Sequence, residues 1–366
     1  MRIGIPKEIK SDEYRVSLLP VGAQLLVEDG HEVWVEAQAG RGSGYHNEDY
    51  LSAGAKIVNS AEPIFKECEL LIKVKELQVE ELKIVSESQI IFGYFHFASS
   101  QTLTEACLQK NVTALAYETL TDRHGQLPLL KPMSEVAGKM SIQEGAKCLE
   151  KPMMGRGILL GGVAGVAPAN VLILGAGVVG SNAARVAAGL GANVTVMDID
   201  IEKLRHIDEV MPDNVTTIYS DPHAVEHFAL QAELVIGALL IPGGRAPRLI
   251  SYDLLKRMKS GAVLVDVSID QGGCFETSRP TTHHDPVYVV DDIVHYCVTN
   301  IPGAVGRTSS QALCNATLPY IRKLSNLGLD AFLNEGKGFR NTLNIHAGKI
   351  KHLEVANAFP KLPNSF

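Results

Sequence analysis

Residues 170–190 read NVLILGAGVVGSNAARVAAGL. The segment starts as an apolar run, passes through three glycines with GxGxxG spacing, and continues in small residues suited to a closely packed helix. Gly175 permits a tight turn, Gly177 lets the backbone approach a pyrophosphate, and Gly180 allows close packing of helix on strand. The helix start offers N–H groups and a positive dipole end to phosphates. The pattern predicts a strand, a turn and a helix that bind a dinucleotide.

The residues that follow indicate which dinucleotide is bound. A second apolar run, 193–197, ends at Asp198, which lies about 20 residues beyond the glycines, where a ribose-binding acid is expected. A carboxylate there accepts hydrogen bonds from a ribose diol and repels a 2′-phosphate. The alternative is a glycine turn beside an incidental strand-end acid. We favour the first interpretation and expect NAD, not NADP, as the cofactor.

Strand and helix patterns alternate on both sides of this motif, which is typical of parallel sheets covered by helices. Strands are predicted over 2–5, 32–36, 70–74, 89–95, 113–117, 171–174, 193–197, 216–219, 234–237, 263–267 and 287–290. Helices are predicted over 21–28, 101–109, 134–149 (with Ser134 as N-cap), 180–189, 224–231, 252–258 and 309–327.

We therefore predict an α/β fold class with two Rossmann-like, doubly wound parallel-sheet domains joined by long helices, and an active site in the cleft. Residues 1–129 and 309–366 would form a discontinuous substrate and catalytic domain. Residues 130–308 would form the NAD-binding domain.

The composition argues against several other classes of protein. The chain has 366 residues and a mass of 39.5 kDa, and its 46% hydrophobic and 20% charged content is typical of a globular protein. A net charge of −7 argues against nucleic-acid binding. The charge-free stretch 157–180 is glycine-rich and contains Pro168, so we expect no membrane span. Six scattered cysteines without metal-ligand spacing indicate reduced thiols, no metal site and a cytoplasmic enzyme.

Candidate catalytic residues lie where predicted strands end. An NAD enzyme with a small polar substrate needs a cation for a carboxylate and a group that transfers protons. Lys73 and Lys75 point to the same side of a strand, so only their depth distinguishes them, and a solvated lysine is the alternative for each. His96 follows an apolar strand, Arg15 lies in the loop after the first strand, and Asp270 precedes two glycines. The pattern alone does not separate functional from structural or surface roles for these three.

Several segments taken together resemble the bacterial L-alanine dehydrogenases of the alanine dehydrogenase and nicotinamide nucleotide transhydrogenase family. The resemblance spans roughly residues 1–320, and its most specific part is the combination of KEIKSDEYRV with VDVSIDQGGCFETSRPTT. The main matching segments are MRIGIPKEIKSDEYRVSLLP (1–20), LLIKVKE (70–76), FGYFHFASS (92–100), PLLKPMSEVAGKMS (128–141), VLILGAGVVGSNAAR (171–185) and GAVLVDVSIDQGGCFETSRPTTH (261–283).

The resemblance implies the reversible oxidative deamination of L-alanine to pyruvate and ammonium with NAD. It implies that His96 and Asp270 form the catalytic pair and that Arg15 and Lys75 hold the substrate carboxylate. It also implies a homohexamer. Besides Gly175, Gly177 and Gly180, the implied cofactor site contains Ser134, Val178, Val179, Asp198, Lys203, Ser220, Leu239, Leu240, Val267, Ser268, Ile269, Arg279, Val298, Thr299, Asn300 and Ile301.

Two other functions stay open. One is the NAD-binding subunit of a nicotinamide nucleotide transhydrogenase, which passes hydride between two nucleotides and needs a membrane partner. The other is a non-catalytic NAD-sensing module. The joint presence of an arginine, a lysine, a histidine and an aspartate suited to an amino-acid substrate favours the dehydrogenase over both.

Overall fold

The structure is a computed structural model that describes residues 1–239 and 246–366. The chain divides into two compact units, one made of Met1–Met133 with Gly303–Phe366 and the other of Ser134–Pro302. It passes from the first to the second unit inside a single helix, Lys131–Cys148. The assignment of the substrate to one part of the chain and NAD to the other remains a prediction.

The first unit is built on a sheet in the order β15-β14-β6-β5-β4-β1-β2-β3, with elements numbered along the chain. Its strands are β1 (Arg2–Ile5), β2 (Glu32–Glu36), β3 (Lys56–Val58), β4 (Leu70–Ile72), β5 (Ile90–Gly93), β6 (Thr113–Ala116), β14 (Leu343–His346) and β15 (Lys349–Ile350). Strands β1 to β6 pair in parallel, whereas β14 and β15 are antiparallel. Because the chain runs outward through β2 and β3 and then returns to β4 beside β1, the winding reverses between β1 and β4.

Helices and short 3-10 turns connect these strands. The helices are α1 (Pro20–Glu28), α2 (Asn47–Ser52), α3 (Ala61–Glu67), α4 (Val79–Ile84), α5 (Gln101–Gln109), the connecting α6 (Lys131–Cys148), and, after the second unit, α11 (Gly306–Leu327), α12 (Leu329–Asn334), α13 (Lys337–Arg340) and α14 (Leu353–Ala358). The 3-10 turns are Arg41–Ser43, Phe97–Ser99, Tyr117–Thr119 and Ile301–Val305.

The second unit repeats this plan in the order β12-β13-β11-β10-β7-β8-β9, with only β12 antiparallel to its neighbour. Its winding reverses between β7 and β10. The strands are β7 (Asn170–Leu174), β8 (Asn193–Asp198), β9 (Val215–Tyr219), β10 (Leu234–Gly237), β11 (Val263–Asp266), β12 (Val287–Val290) and β13 (Ile293–Tyr296). The helices are α7 (Val178–Gly189), α8 (Ile201–Val210), α9 (Pro222–Gln231) and α10 (Tyr252–Leu255), with 3-10 turns at Lys151–Met153 and Ile269–Gln271.

The central strands of both sheets are apolar and buried, because helices cover both faces of a doubly wound sheet. All six cysteines are buried and free. Within the described ranges, no helix has the length and apolar character needed to cross a bilayer. The two mostly parallel sheets with flanking helices confirm the predicted α/β fold class.

Some predicted element boundaries were wrong. Helix α6 starts at Lys131, so Ser134 lies inside the helix and does not cap it. The proline at the second helical position is compatible with this earlier start, because a first-turn residue needs no N–H partner within the helix. Strands β4 and β5 end earlier than predicted, at Ile72 and Gly93, and the apolar residues beyond them are buried by loop packing.

Close packing of strand and helix in the second unit depends on Gly180. A Cβ atom at this position would lie 1.8 Å from the carbonyl oxygen of Gly175, well inside van der Waals contact with rigid backbone. At Gly189, at the other end of the same helix, a Cβ would meet nothing within 4 Å. The helix therefore has no room for a side chain at Gly180 but has room for one at Gly189.

We expect Gly180→Ala to lower the free energy of unfolding by about 1–3 kcal/mol, the usual cost of forcing an extra methyl group into a packed site. Gly189→Ala serves as the matched control and should be neutral or stabilising by up to about 1 kcal/mol, since it removes backbone freedom without a clash. Thermal and denaturant unfolding of both variants would measure this. Equal stability of the two variants would contradict the packing argument.

Candidate functional site

The glycine turn after β7 forms an open cradle at the start of α7. Gly175 has a φ of +111°, in the region that favours glycine, and a Cβ there would lie 2.5 Å from the carbonyl oxygen of Ala238. At Gly177, the N-cap, a Cβ would meet nothing within 4 Å, so the backbone borders open space. Val178 and Val179 begin the helix, whose first N–H groups lack intrahelical partners. This geometry fits a bound pyrophosphate.

Asp198 ends β8 and is fixed against this turn. Its Oδ2 accepts a hydrogen bond from the N–H of Ala176 at 2.8 Å, and its side chain is 11% exposed. The Nζ atom of Lys203 lies 3.9 Å from the same oxygen. Ser220 follows β9 and donates its N–H to the carbonyl oxygen of Asp198 at 3.0 Å. The predicted ribose acid, lysine and serine therefore lie together beside the glycine turn.

The ends of β10 and β11 complete this edge of the sheet. Ser268 Oγ donates to the carbonyl oxygen of Leu239 at 2.7 Å, and a Cβ at Gly175 would lie 3.4 Å from Leu239 Cδ2. Val267 donates its N–H to the carbonyl oxygen of Gly237 at 2.9 Å, and Ile269 is buried. Leu240 lies outside the described residues.

Other predicted cofactor residues are placed by contacts of their own. The guanidinium of Arg279 lies 4.1 Å from the centre of the Tyr288 ring. Val298 forms a bridge with Thr281, and the N–H of Thr299 donates to the Thr281 carbonyl at 3.2 Å. The remaining members are half-buried Ser134 in α6, Asn300 with a φ of +65°, and Ile301 at the start of a 3-10 turn.

In the first unit, Lys73 is committed to two buried carboxylates. Its fully buried Nζ lies 3.0 Å from Glu8 Oε2 and 2.7 Å from Glu81 Oε1. Burial raises the pKa of Glu8 to about 7, although Lys73 opposes the rise. Lys75 is also buried, with 8% exposure. The alternative of a solvated strand-end lysine is therefore wrong for both, and Lys75 remains the candidate for a substrate carboxylate.

Arg15 is buried and oriented by Glu13. Its Nε and Nη2 atoms donate to the two carboxylate oxygens of Glu13 at 2.7 and 2.6 Å. Burial opposes the charge on Arg15, but the neighbouring Glu13 carboxylate outweighs burial and raises the guanidinium pKa. Nη1 lies 3.1 Å from Met133 Sδ. With 3% exposure, Arg15 has no surface role.

His96 is exposed and sits in a strained backbone conformation. Its φ of +50° and ψ of 42° are left-handed, which is uncommon for a residue with a side chain. Glu118, just beyond β6, holds this turn, since its Oε1 accepts the N–H of His96 at 2.6 Å and that of Phe95 at 3.2 Å. The imidazole of His96 lies parallel to the Tyr94 ring, and the two ring centres are 6.1 Å apart.

Asp270 lies in the 3-10 turn Ile269–Gln271 after β11 and is exposed. The structure therefore places Arg15, Lys75 and His96 in the loops after strands of the first unit, and Asp270 after a strand of the second.

Sequence reasoning missed the carboxylates that hold these residues. Glu13 and Glu118 are not singled out by any sequence pattern, and Asp266, which accepts the N–H groups of Ser268 and Cys274 beside Asp270, lies within the predicted apolar strand 263–267. The last could have been recognised, because a carboxylate inside an apolar strand needs buried hydrogen-bond donors. For Glu118, its position directly after a buried strand was the available signal.

Known proteins resemble this chain over nearly its full length. Residues 4–137 match the family described as alanine dehydrogenase/PNT, N-terminal domain, and residues 141–353 match the corresponding C-terminal domain. The alanine dehydrogenase of Halomonas elongata is 51% identical over 98% of this chain and 97% of its own length. That of Mycolicibacterium smegmatis is 49% identical over 97% of this chain and 96% of its own length.

Solved structures give the same result. An L-alanine dehydrogenase with 46% identity superposes with a TM-score of 0.94 and covers 98% of this chain and 99% of its own. A transhydrogenase from Sinorhizobium meliloti, at 22% identity and a TM-score of 0.81, shares the fold over 96% of this chain and 99% of its own. With both family domains matched and relatives about half identical over nearly the full length, the chain belongs to the alanine dehydrogenase/PNT family.

Proposed function

We propose that this protein is an NAD-dependent L-alanine dehydrogenase that interconverts L-alanine with pyruvate and ammonium. The observation that carries the proposal is the placement of two complementary residue sets. Cations and a histidine follow the strands of one sheet, and a dinucleotide cradle with its ribose acid follows the strands of the other. Relatives named alanine dehydrogenase at 46–51% identity support the same activity.

In the proposed reaction, bound NAD supplies a hydride acceptor. Alanine loses a hydride from its α-carbon and a proton from its nitrogen, which gives an iminium. Water adds to the iminium carbon, and the resulting carbinolamine collapses to pyruvate and ammonium. The protein has to bind the carboxylate, move protons at the water and carbinolamine oxygens, and balance the charge of the iminium.

Arg15 and Lys75 bind the substrate carboxylate. Glu13 holds the guanidinium of Arg15 through its Nε and Nη2 atoms, which orients the group for a substrate carboxylate. Lys75 adds a point charge on a flexible stem. Because both cations are buried, their attraction for a carboxylate is less screened than at a surface.

His96 and Asp270 form the proposed catalytic pair. His96 accepts and returns the proton of the attacking water and of the carbinolamine oxygen, a task suited to imidazole near neutral pH. Asp270 orients the amine or water and offsets the positive charge of the iminium. The hydrogen bond from the N–H of His96 to Glu118 supports this role, because it fixes the turn that carries the imidazole.

We also propose that the protein forms a homohexamer and is located in the cytoplasm. The family resemblance supports a homohexamer, and six free, buried thiols support the reducing environment of the cytoplasm.

The activity test is the absorbance of NADH after L-alanine and NAD are mixed with the protein at alkaline pH. Reduction of NAD that depends on alanine supports the dehydrogenase. Hydride transfer between nucleotides only, with a partner subunit, would instead identify a transhydrogenase. NAD binding without turnover would identify a sensing module.

The two neighbouring lysines should separate substrate binding from stability. Lys75→Met should lower kcat/KM for alanine at least about 30-fold, equivalent to about 2 kcal/mol of lost charge pairing, with NAD affinity unchanged. Lys73→Met, the matched control, leaves Glu8 and Glu81 buried without their cation and should cost about 3–5 kcal/mol of stability. Steady-state kinetics, calorimetry with NAD and thermal unfolding would measure these effects. Loss of NAD binding in Lys75→Met would move that residue to the cofactor site.

Asp198 should set the preference for NAD over NADP. Replacing it by alanine removes the acid that repels a 2′-phosphate, so the NADP:NAD ratio of kcat/KM should rise. Ser251→Ala is a control in the same unit, because Ser251 caps α10 by accepting the N–H of Leu254 at 3.2 Å and is not among the proposed cofactor residues. It should lower stability and leave the cofactor ratio unchanged. An unchanged ratio in Asp198→Ala would disprove the ribose assignment.

His96 and Asp270 should act as a unit. Asp270→Asn and His96→Ala should each reduce single-turnover alanine oxidation by roughly 10² or more, as loss of acid–base or electrostatic assistance does. The double variant should be hardly slower than either single variant, since linked residues are not additive. Stopped-flow measurements would decide, and strictly multiplicative losses would show that the two residues act separately.

A further inference from the structure

Asp266, the last residue of β11, is fully buried and accepts hydrogen bonds from four groups. Its Oδ1 accepts the N–H of Ser268 at 3.0 Å and lies 3.5 Å from the thiol of Cys274. Its Oδ2 accepts the N–H of Cys274 at 2.9 Å and the hydroxyl of Ser278 at 2.5 Å. With no exposed surface, this carboxylate cannot touch a substrate directly.

These contacts close the ends of one turn. Ser268 opens the turn and Cys274 ends it, and Asp266 accepts a main-chain N–H from each. Inside the turn, the carbonyl oxygen of Ser268 accepts the N–H groups of Gln271 and Gly273 at 2.9 and 3.1 Å. Asp270 lies at the centre of this turn, where its side chain is exposed.

The turn itself contains little regular structure, and besides Asp266 it is contacted by the N–H groups of Ala246 and Leu249, which donate to the carbonyl oxygens of Gln271 and Cys274 at 3.2 and 2.8 Å. The 3-10 element Ile269–Gln271 has three residues, too short to be rigid alone. Gly272 and Gly273 follow with φ values of +92° and +74°, so the backbone here is intrinsically permissive. A Cβ at Gly273 would lie 2.7 Å from Asp266 Oδ2, which shows how closely the carboxylate packs against the turn.

We propose that Asp266 is a positioning residue for Asp270, acting by clasping both ends of the turn that presents the Asp270 carboxylate. The proposal rests on the proposed function. A misplacement of about 1 Å in a catalytic group is enough to cost roughly 10² in rate. Asparagine has the shape of aspartate, but its NH2 group would face N–H donors, so one end of the turn loses its acceptor.

The main test compares Asp266→Asn with Glu233→Gln. Glu233 is a buried acid of the same sheet that accepts the N–H of Asn170 at 2.7 Å at the opposite, amino-terminal edge. Asp266→Asn should lower kcat for alanine oxidation about 10- to 100-fold. Glu233→Gln should keep kcat within about twofold of the native enzyme, whatever its effect on stability. A folded Asp266→Asn enzyme with native kcat would overturn the proposal.

A double-variant test separates positioning from general destabilisation. If Asp266 acts through Asp270, then Asp266→Asn should cost no more than about twofold when added to Asp270→Asn. Multiplicative losses would overturn the proposal, because they would mean that Asp266 contributes by another route.

Hydrogen exchange tests the clasp without any activity. In Asp266→Asn, the peptide covering 268–274 should exchange at least about tenfold faster than in the native protein, whereas Glu233→Gln leaves it unchanged. If the native protein does not oxidise alanine, the proposed function fails, yet unchanged exchange in Asp266→Asn would still refute the clasp on its own.

Ser278→Ala tests the proposal even if the Asp266→Asn variant does not fold. It removes one hydrogen bond to the carboxylate and keeps both main-chain contacts of the turn. A milder loss of kcat, about three- to tenfold, is expected, and it should vanish in the Asp270→Asn background. A loss that persists at full size in that background would overturn the proposal.

Discussion

A carboxylate that is removed from water needs hydrogen-bond donors around it, and the loops of this protein supply them. Among the described residues, four buried or half-buried carboxylates lie at or just beyond strand ends, and each accepts one or more main-chain N–H groups from a loop that carries a predicted site residue. They are Glu8, Glu118, Asp198 and Asp266, and their donors are Val74, His96, Ala176, and Ser268 with Cys274, respectively. The N–H groups of the loops therefore offset the cost of burying these carboxylates, and the carboxylates in turn hold the loops in place.

Parallel pairing explains why three of these carboxylates contact the loop after a neighbouring strand, whereas the donors of Asp266 follow its own strand. The carboxyl ends of adjacent parallel strands meet at one edge of a sheet, so an acid after one strand reaches the loop after the next. Glu8 follows β1 and holds the loop after β4, whereas Glu118 follows β6 and holds the loop after β5. Asp198 ends β8 and holds the turn after β7. The same device occurs in both units, which are built on the same winding.

Much of this arrangement was predictable from the sequence, because it depends on local pattern. The GxGxxG turn and the apolar strands around it are visible in short windows, and the family resemblance named the chemical residues. The depth at which a side chain is buried was not visible in the sequence. A two-residue period puts Lys73 and Lys75 on one side of a strand, and only the structure shows that Lys73 pairs with Glu8 and Glu81. The position of Glu118 after a strand is visible in the sequence, but the loop that it contacts lies more than 20 residues away in the chain and is not. Strand β14 was missed because it has only four residues, and one of its two neighbours, β6, lies more than 200 residues away in the chain.

The first unit is assembled from both ends of the chain, with β14 pairing with β6 and β15 forming the edge of the sheet. This has a consequence for synthesis on the ribosome. The second unit is continuous in sequence, so its contacts can form as soon as it has emerged. The first unit has to wait, because β6 presents an unpaired edge until Leu343–His346 has been made. Until then, an apolar sheet edge of the nascent chain is open to contact with other chains.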